Sequence, residues 1–126
     1  MAKMEDRPVD SGVAGVKAKS DPEVLEWMKQ RLTLTAAVPT DVARTGAMLP
    51  MLREMARLTP DERRRLTKIR LQAFQQLPRD QQDKLVTARK LGNASDPDLL
   101  ESDTAVIRGL KGEVPGVDEI LDRVGA

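Results

Sequence analysis

Residues 58–92 read LTPDERRRLTKIRLQAFQQLPRDQQDKLVTARKLG, and they open a helix twice in the same way. In the first start, Thr59 is placed to cap, Pro60 tolerates the first helical position because its missing N–H is not needed there, and Glu62 completes a capping box. Leu66, Ile69, Ala73, Phe74 and Leu77 then fall on one face at the helical period. The second start is at Pro78, with Leu85, Ala88 and Leu91 inward and Gly92 as the expected stop. Leu58, Asp61 and Leu66 map onto Leu77, Asp80 and Leu85 at a spacing of 19 residues. Two copies are too few for a solenoid.

The same grammar extends toward the N-terminus. In SDPEVLEWMKQRL, Ser20 or Asp21 caps, Pro22 sits in the first turn and Glu23 closes a box with Ser20. Val24, Leu25, Met28 and Leu32 share a face, with Trp27 and Leu34 on its border, so a helix is expected from about Pro22 to about Ala36. Val38 before Pro39 ends it. From Met48, the residues Met48, Leu49, Met51, Leu52, Met55, Ala56 and Leu58 occupy one half of a wheel. Pro50 lies on the other half, either starting a helix or kinking one. Residues 1–19 have no period and read as disordered.

The phrase Ser-Asp-Pro-acid returns at Ser95, where it leads into LLESDTAVIRGLKGEVPG. The glycines there predict one or two helical turns and then a flexible acidic tail over 92–126. Within that tail, Val117, Ile120, Leu121 and Val124 recur at i, i+3, i+4 and i+7 behind Pro115-Gly116. They read as a short amphipathic helix, either the last helix of the domain or a docking segment on a tether.

The expected fold is therefore all-α: three to four helices over 20–91 in a small antiparallel bundle, with a disordered head and an acidic tail. The short connections at Thr59 and Pro78 favour antiparallel neighbours.

Composition narrows the function. The 126 residues include no His and no Cys. That removes the familiar nucleophile–base pairs, thiolate chemistry and nitrogen or sulfur metal sites, so no catalytic, metal or cofactor residues are expected. The acids Asp96, Asp98, Glu101 and Asp103 do not make a calcium loop, because Glu101 stands at the sixth position where glycine is required. No apolar run is long enough to span a membrane and the N-terminus lacks a signal-peptide core, which predicts a cytoplasmic protein. Arg outnumbers Lys 13 to 8, a bias that suggests a bacterial origin.

Charge is unevenly distributed. Residues 1–52 carry 7 basic and 7 acidic side chains, residues 53–90 carry 11 and 5, and residues 91–126 carry 3 and 8. The basic stretch reads as one helix face of Arg63, Arg64, Arg65, Lys68 and Arg70, with Arg63 and Arg70 covering Phe74. Such a face suits a solvated ion-paired surface, an acidic partner, the chain's own tail, or phosphates. Near-neutral total charge and the lack of stacking aromatics around the patch speak against nucleic acid. The expected function is a non-catalytic accessory or adaptor subunit of a larger complex. It would contact another protein through the Met48, Met51 and Met55 stripe or through Val117, Ile120, Leu121 and Val124. The competing expectation is a small nucleic-acid-binding regulator.

Overall fold

The computed structural model describes residues 12–125. Seven helices make up the described chain: α1 Val13–Val16, α2 Asp21–Ala36, α3 Asp41–Ala56, α4 Pro60–Gln75, α5 Arg79–Ser95, α6 Pro97–Arg108 and α7 Val117–Val124. No strand occurs among these residues. The expected disorder of 1–19 lies outside the described residues up to residue 11. Beyond that point α1 is present, with Val13 and Val16 fully buried and the Val13 N–H bonded to Glu54.

Local signals set the helix starts. At Thr59 the capping box closes both ways: Glu62 N–H donates to Thr59 Oγ1, and Thr59 N–H donates to Glu62 Oε1, both at 3.2 Å. Glu23 accepts from the Ser20 N–H at 3.1 Å and from Ser20 Oγ at 2.9 Å. The second Ser-Asp-Pro acts one residue later. Ser95 still belongs to α5, so Asp96 alone makes the joint, its carboxylate accepting from Leu99 N–H at 3.4 Å.

Four helices, α2–α5, stand over the expected bundle region among seven in all, but they pack chiefly on the helix after next rather than on their chain neighbours. α2 packs chiefly on α4, and α3 on α5. The α3–α5 pair runs in one direction: Thr45 Oγ1 lies 3.0 Å from the Ala88 carbonyl, Leu49 faces Gly92, and Arg53 faces Asp96. A short turn forces the chain to change direction, but it does not make the two helices it joins pack along their length. Helices with apolar residues on two faces find larger partners elsewhere. α3 has such faces: Met51 and Met55 join the main core with Val24, Met28, Leu66 and Ile69, whereas Leu49 and Leu52 pack on Leu100. Pro50 lies inside α3 and is exposed. It neither starts a helix nor divides one. Pro50 has no N–H to offer the Gly46 carbonyl four residues earlier, and Gly46 lies at the exposed surface of the helix.

Over the tail expected from residue 92 the structure places α6 and α7. Gly92 is not a stop: α5 continues to Ser95, and Gly92 is buried inside it, facing α3 and α6. A Cβ there would stand 3.4–3.6 Å from Met48, Leu49 and Leu100. α6 folds back on α5. α7 closes a second core in which Val117, Ile120 and Leu121 meet Leu71, Ile107, Leu110 and Val114. The turn into α7 needs glycine. Gly116 has φ +84°, and a Cβ would come within 2.9 Å of the Gln75 amide nitrogen, which itself donates to the Pro115 carbonyl at 2.6 Å. Gly116→Ala is expected to cost about 1–3 kcal/mol, measurable by urea denaturation. An unchanged midpoint would show that this turn carries no strain.

Candidate functional site

The most concentrated buried chemistry lies between α4, α5 and α6. Each helix places one charged residue where its apolar period calls for a hydrophobic one. Asp103 stands between Leu100 and Ile107, Arg70 between Leu66 and Ala73, and Arg89 between Leu85 and Gly92; all of these are buried. Both guanidiniums donate to the same oxygen, Asp103 Oδ2, Arg70 at 2.8 Å and Arg89 at 2.7 Å. Arg89 also donates to Thr104 Oγ1 at 2.9 Å, and Arg70 reaches Met55 Sδ at 3.4 Å. Asp103 is 1% exposed, and its Oδ1 has no partner among the described residues.

Burial by itself would push the Asp103 carboxyl up. The charges of Arg70 and then Arg89 outweigh it, helped by their hydrogen bonds, and hold the carboxyl below its ordinary range. At Arg89 burial prevails and lowers the guanidinium, against the attraction of Asp103. The two shifts pull in opposite directions on one ion pair. A guanidinium keeps its proton throughout the ordinary pH range and the carboxyl is held below its usual range, so the cluster holds two cations and one anion. A depressed carboxylate stabilises the fold above its unfolded pKa of about 3.9 and loses that contribution as pH falls through the lower folded value. The share of acid unfolding that Asp103→Asn abolishes is therefore expected below about pH 4. A share appearing above that pH would contradict the arrangement.

Beside the triad lies a cavity of about 80 Å³, walled by Leu32, Met51, Leu71, Phe74, Leu85 and Ile120, with Arg70 and Arg89 at one side. An engineered cavity of about 150 Å³ accepts benzene, and a water takes about 30 Å³ of liquid. The space beside the triad is smaller than that engineered cavity, and its walls are mainly apolar. The triad is a clamp joining three helices.

The residues singled out as partner contacts are mostly used within the fold. Val117, Ile120, Leu121, Val124, Met51 and Met55 are buried, and Met48 is half-buried. The expected basic face divides. Arg70 points into the core rather than along that face. A cation also stands over Phe74 from α7: the Arg123 guanidinium is 5.5 Å from the ring centre. Arg64 and Lys68 pair with Glu113, and Arg65 bonds to Asp21 and to the carbonyls of Lys17 and Lys19. Acids of 91–126 thus meet bases of 53–90: Asp96 with Arg53, Asp103 with Arg70 and Arg89, Glu113 with Arg64 and Lys68, and Glu119 with Arg79. No cluster of three or more metal-ligating side chains occurs among the described residues, and no described helix is long and apolar enough to cross a membrane.

Sequence reasoning missed Asp103 and Arg89. The available signal was a charge in phase with an apolar stripe, rather than a charge in a run. No protein-family model matches this chain, and neither a curated protein nor a solved structure matches it.

Proposed function

We propose that this chain is a non-catalytic accessory subunit of a bacterial cytoplasmic complex, a rigid helical module that recognises another protein. What supports the reading is the use made of its buried charges. Arg70 and Arg89 share Asp103 Oδ2 and tie three helices together, and the adjoining cavity is small and mainly apolar. The interior serves the scaffold, which leaves the outer surface for recognition. Of the two apolar faces the sequence suggested, Val117, Ile120, Leu121, Val124, Met51 and Met55 are buried and Met48 is half-buried, which favours other parts of the surface. A nucleic-acid role has less support, because Arg64, Arg65 and Lys68 would have to leave Glu113 and Asp21 to reach phosphates.

The test is affinity capture from the native organism with the full chain as bait, followed by reconstitution with the purified partner. A stoichiometric protein complex that survives nuclease treatment is the expected result. Tight binding to duplex or single-stranded DNA or RNA that weakens steeply with salt, without a protein partner, would overturn it.

A further inference from the structure

The buried cluster between α4, α5 and α6 is short of one negative charge. Arg70 and Arg89 are 7% and 9% exposed, and both lean on the same oxygen of one carboxylate, Asp103. No second acid pairs with either among the described residues. A positive charge is therefore left over in a buried place, where charge is costly unless it is paired. The two cations also repel each other, and that repulsion adds to burial in lowering Arg89. Their bonds to Asp103, Thr104 and Met55 engage terminal nitrogens only. The Nε–H of each meets no acceptor among the described residues. Unlike the Nε atoms of Arg44 and Arg63, these two are not sealed off from a water-sized molecule.

Both side chains stand on the wall of the cavity of about 80 Å³. No acid lines that wall, and Asp103 itself is not on it, so a visitor meets the two cations and not their carboxylate. The third polar side chain there is Thr35, whose hydroxyl already donates to the Arg31 carbonyl at 2.9 Å. The wall also includes Met48 and Val86, which are half-buried and reach the surface. Charge and size then select the occupant. A monovalent anion balances the surplus. A divalent one overshoots it, and the cost of taking an ion out of water rises with the square of its charge. The volume admits a halide or a two-carbon carboxylate, whereas benzene already needs a cavity of about 150 Å³. The apolar remainder of the wall suits a weakly hydrated ion or a methyl group.

We infer that this cavity is a binding site for one small monovalent anion, a halide or a short carboxylate, held by the Nε–H groups of Arg70 and Arg89. The bound ion makes the cluster neutral and lets the three-helix clamp close without a surplus charge. The inference concerns the interior and stands whether or not the outer surface recognises a protein.

The experiment titrates the full ¹⁵N-labelled chain with sodium chloride, sodium acetate and sodium sulfate at constant ionic strength. Sodium gluconate makes up the balance, because gluconate is too large for the cavity. NMR follows the Nε–H signals of Arg70 and Arg89, and the chloride-35 line width reports bound chloride. Chloride, acetate or both are expected to move the two signals together along a saturating one-site curve. Tighter saturation by chloride marks a halide site, and tighter saturation by acetate marks a carboxylate site. Sulfate is expected to bind about tenfold more weakly or worse, since its second charge has no partner in the cluster. Val86→Phe narrows the cavity without altering a charge and should weaken the same titration. Replacing Arg70 by Met, Arg89 by Leu and Asp103 by Leu together removes the cations and should abolish the excess chloride-35 line width. Shifts that rise without saturating, sulfate binding as tightly as the monovalent ions, or undiminished binding to a folded variant would overturn the site. If neither variant folds, the wild-type curves decide: saturation of the Arg70 and Arg89 signals by monovalent ions in preference to sulfate keeps the site, and any other result removes it.

Discussion

Asp103→Asn is expected to cost about 3–5 kcal/mol of folding stability, because it leaves the two buried guanidiniums of Arg70 and Arg89 without their shared anion. A typical domain has about 5–15 kcal/mol in total, so this one substitution removes a large share of it. Urea denaturation at neutral pH measures the loss directly. Burial alone does not explain a cost of that size, since Asn has nearly the shape of Asp. The penalty arises from removing the charge. The converse experiment separates charge from shape. Replacing Arg70 by Met, Arg89 by Leu and Asp103 by Leu together deletes the whole desolvated cluster, and buried ion clusters exchanged for apolar side chains are often neutral or stabilising by about 1–4 kcal/mol. The triple variant should therefore recover most of what Asp103→Asn loses. If Asp103→Asn melts like wild type, the triad is not the clamp described here.

Deleting residues 114–126 is expected to unfold the chain or leave it molten. Val117, Ile120, Leu121 and Val124 are all buried, and each large aliphatic removed from a core costs about 2–5 kcal/mol, so two of them already rival the stability of the domain. Arg123 adds bonds to Gln82 at 2.8 Å and Asp83 at 2.9 Å, and the deletion would also uncover Leu71, Ile107 and Leu110. Ile120→Asp should act in the same direction by placing a carboxylate in that core. Loss of near-ultraviolet dichroism and binding of a hydrophobic dye are the readouts. An unchanged melting temperature would restore the detachable docking helix that the sequence suggested. Burying the four aliphatic side chains of α7 gains roughly 6–10 kcal/mol gross, short of the roughly 10–20 kcal/mol that ordering about ten residues costs. The structure adds the Gln75–Pro115 bond, the Arg123 bonds and a Glu119–Arg79 pair, all made to residues at least 40 positions away or on another helix.

The helix starts were legible because their physics is local. Thr59, Pro60 and Glu62 complete their hydrogen bonds within four residues, and so does the Ser20–Glu23 pair. The apolar stripe of α2 was legible for the same reason, since periodicity along one helix needs no partner to be counted. Lack of His and Cys likewise restricted the available chemistry without any structure.

Partner choice was not legible. Nothing near Asp103 distinguishes it from Asp96, Asp98 or Glu101 except its phase with Leu100 and Ile107, and its two cations stand 33 and 14 residues earlier. Whether Val117 and Ile120 cover this chain or another, and whether Gly92 ends a helix or lies buried inside one, depend on surfaces brought together from distant segments. Capping bonds act over a few residues and are written in the sequence beside them. Apolar burial and Coulomb attraction carry no address, so only the tertiary structure decides which surfaces and charges they join.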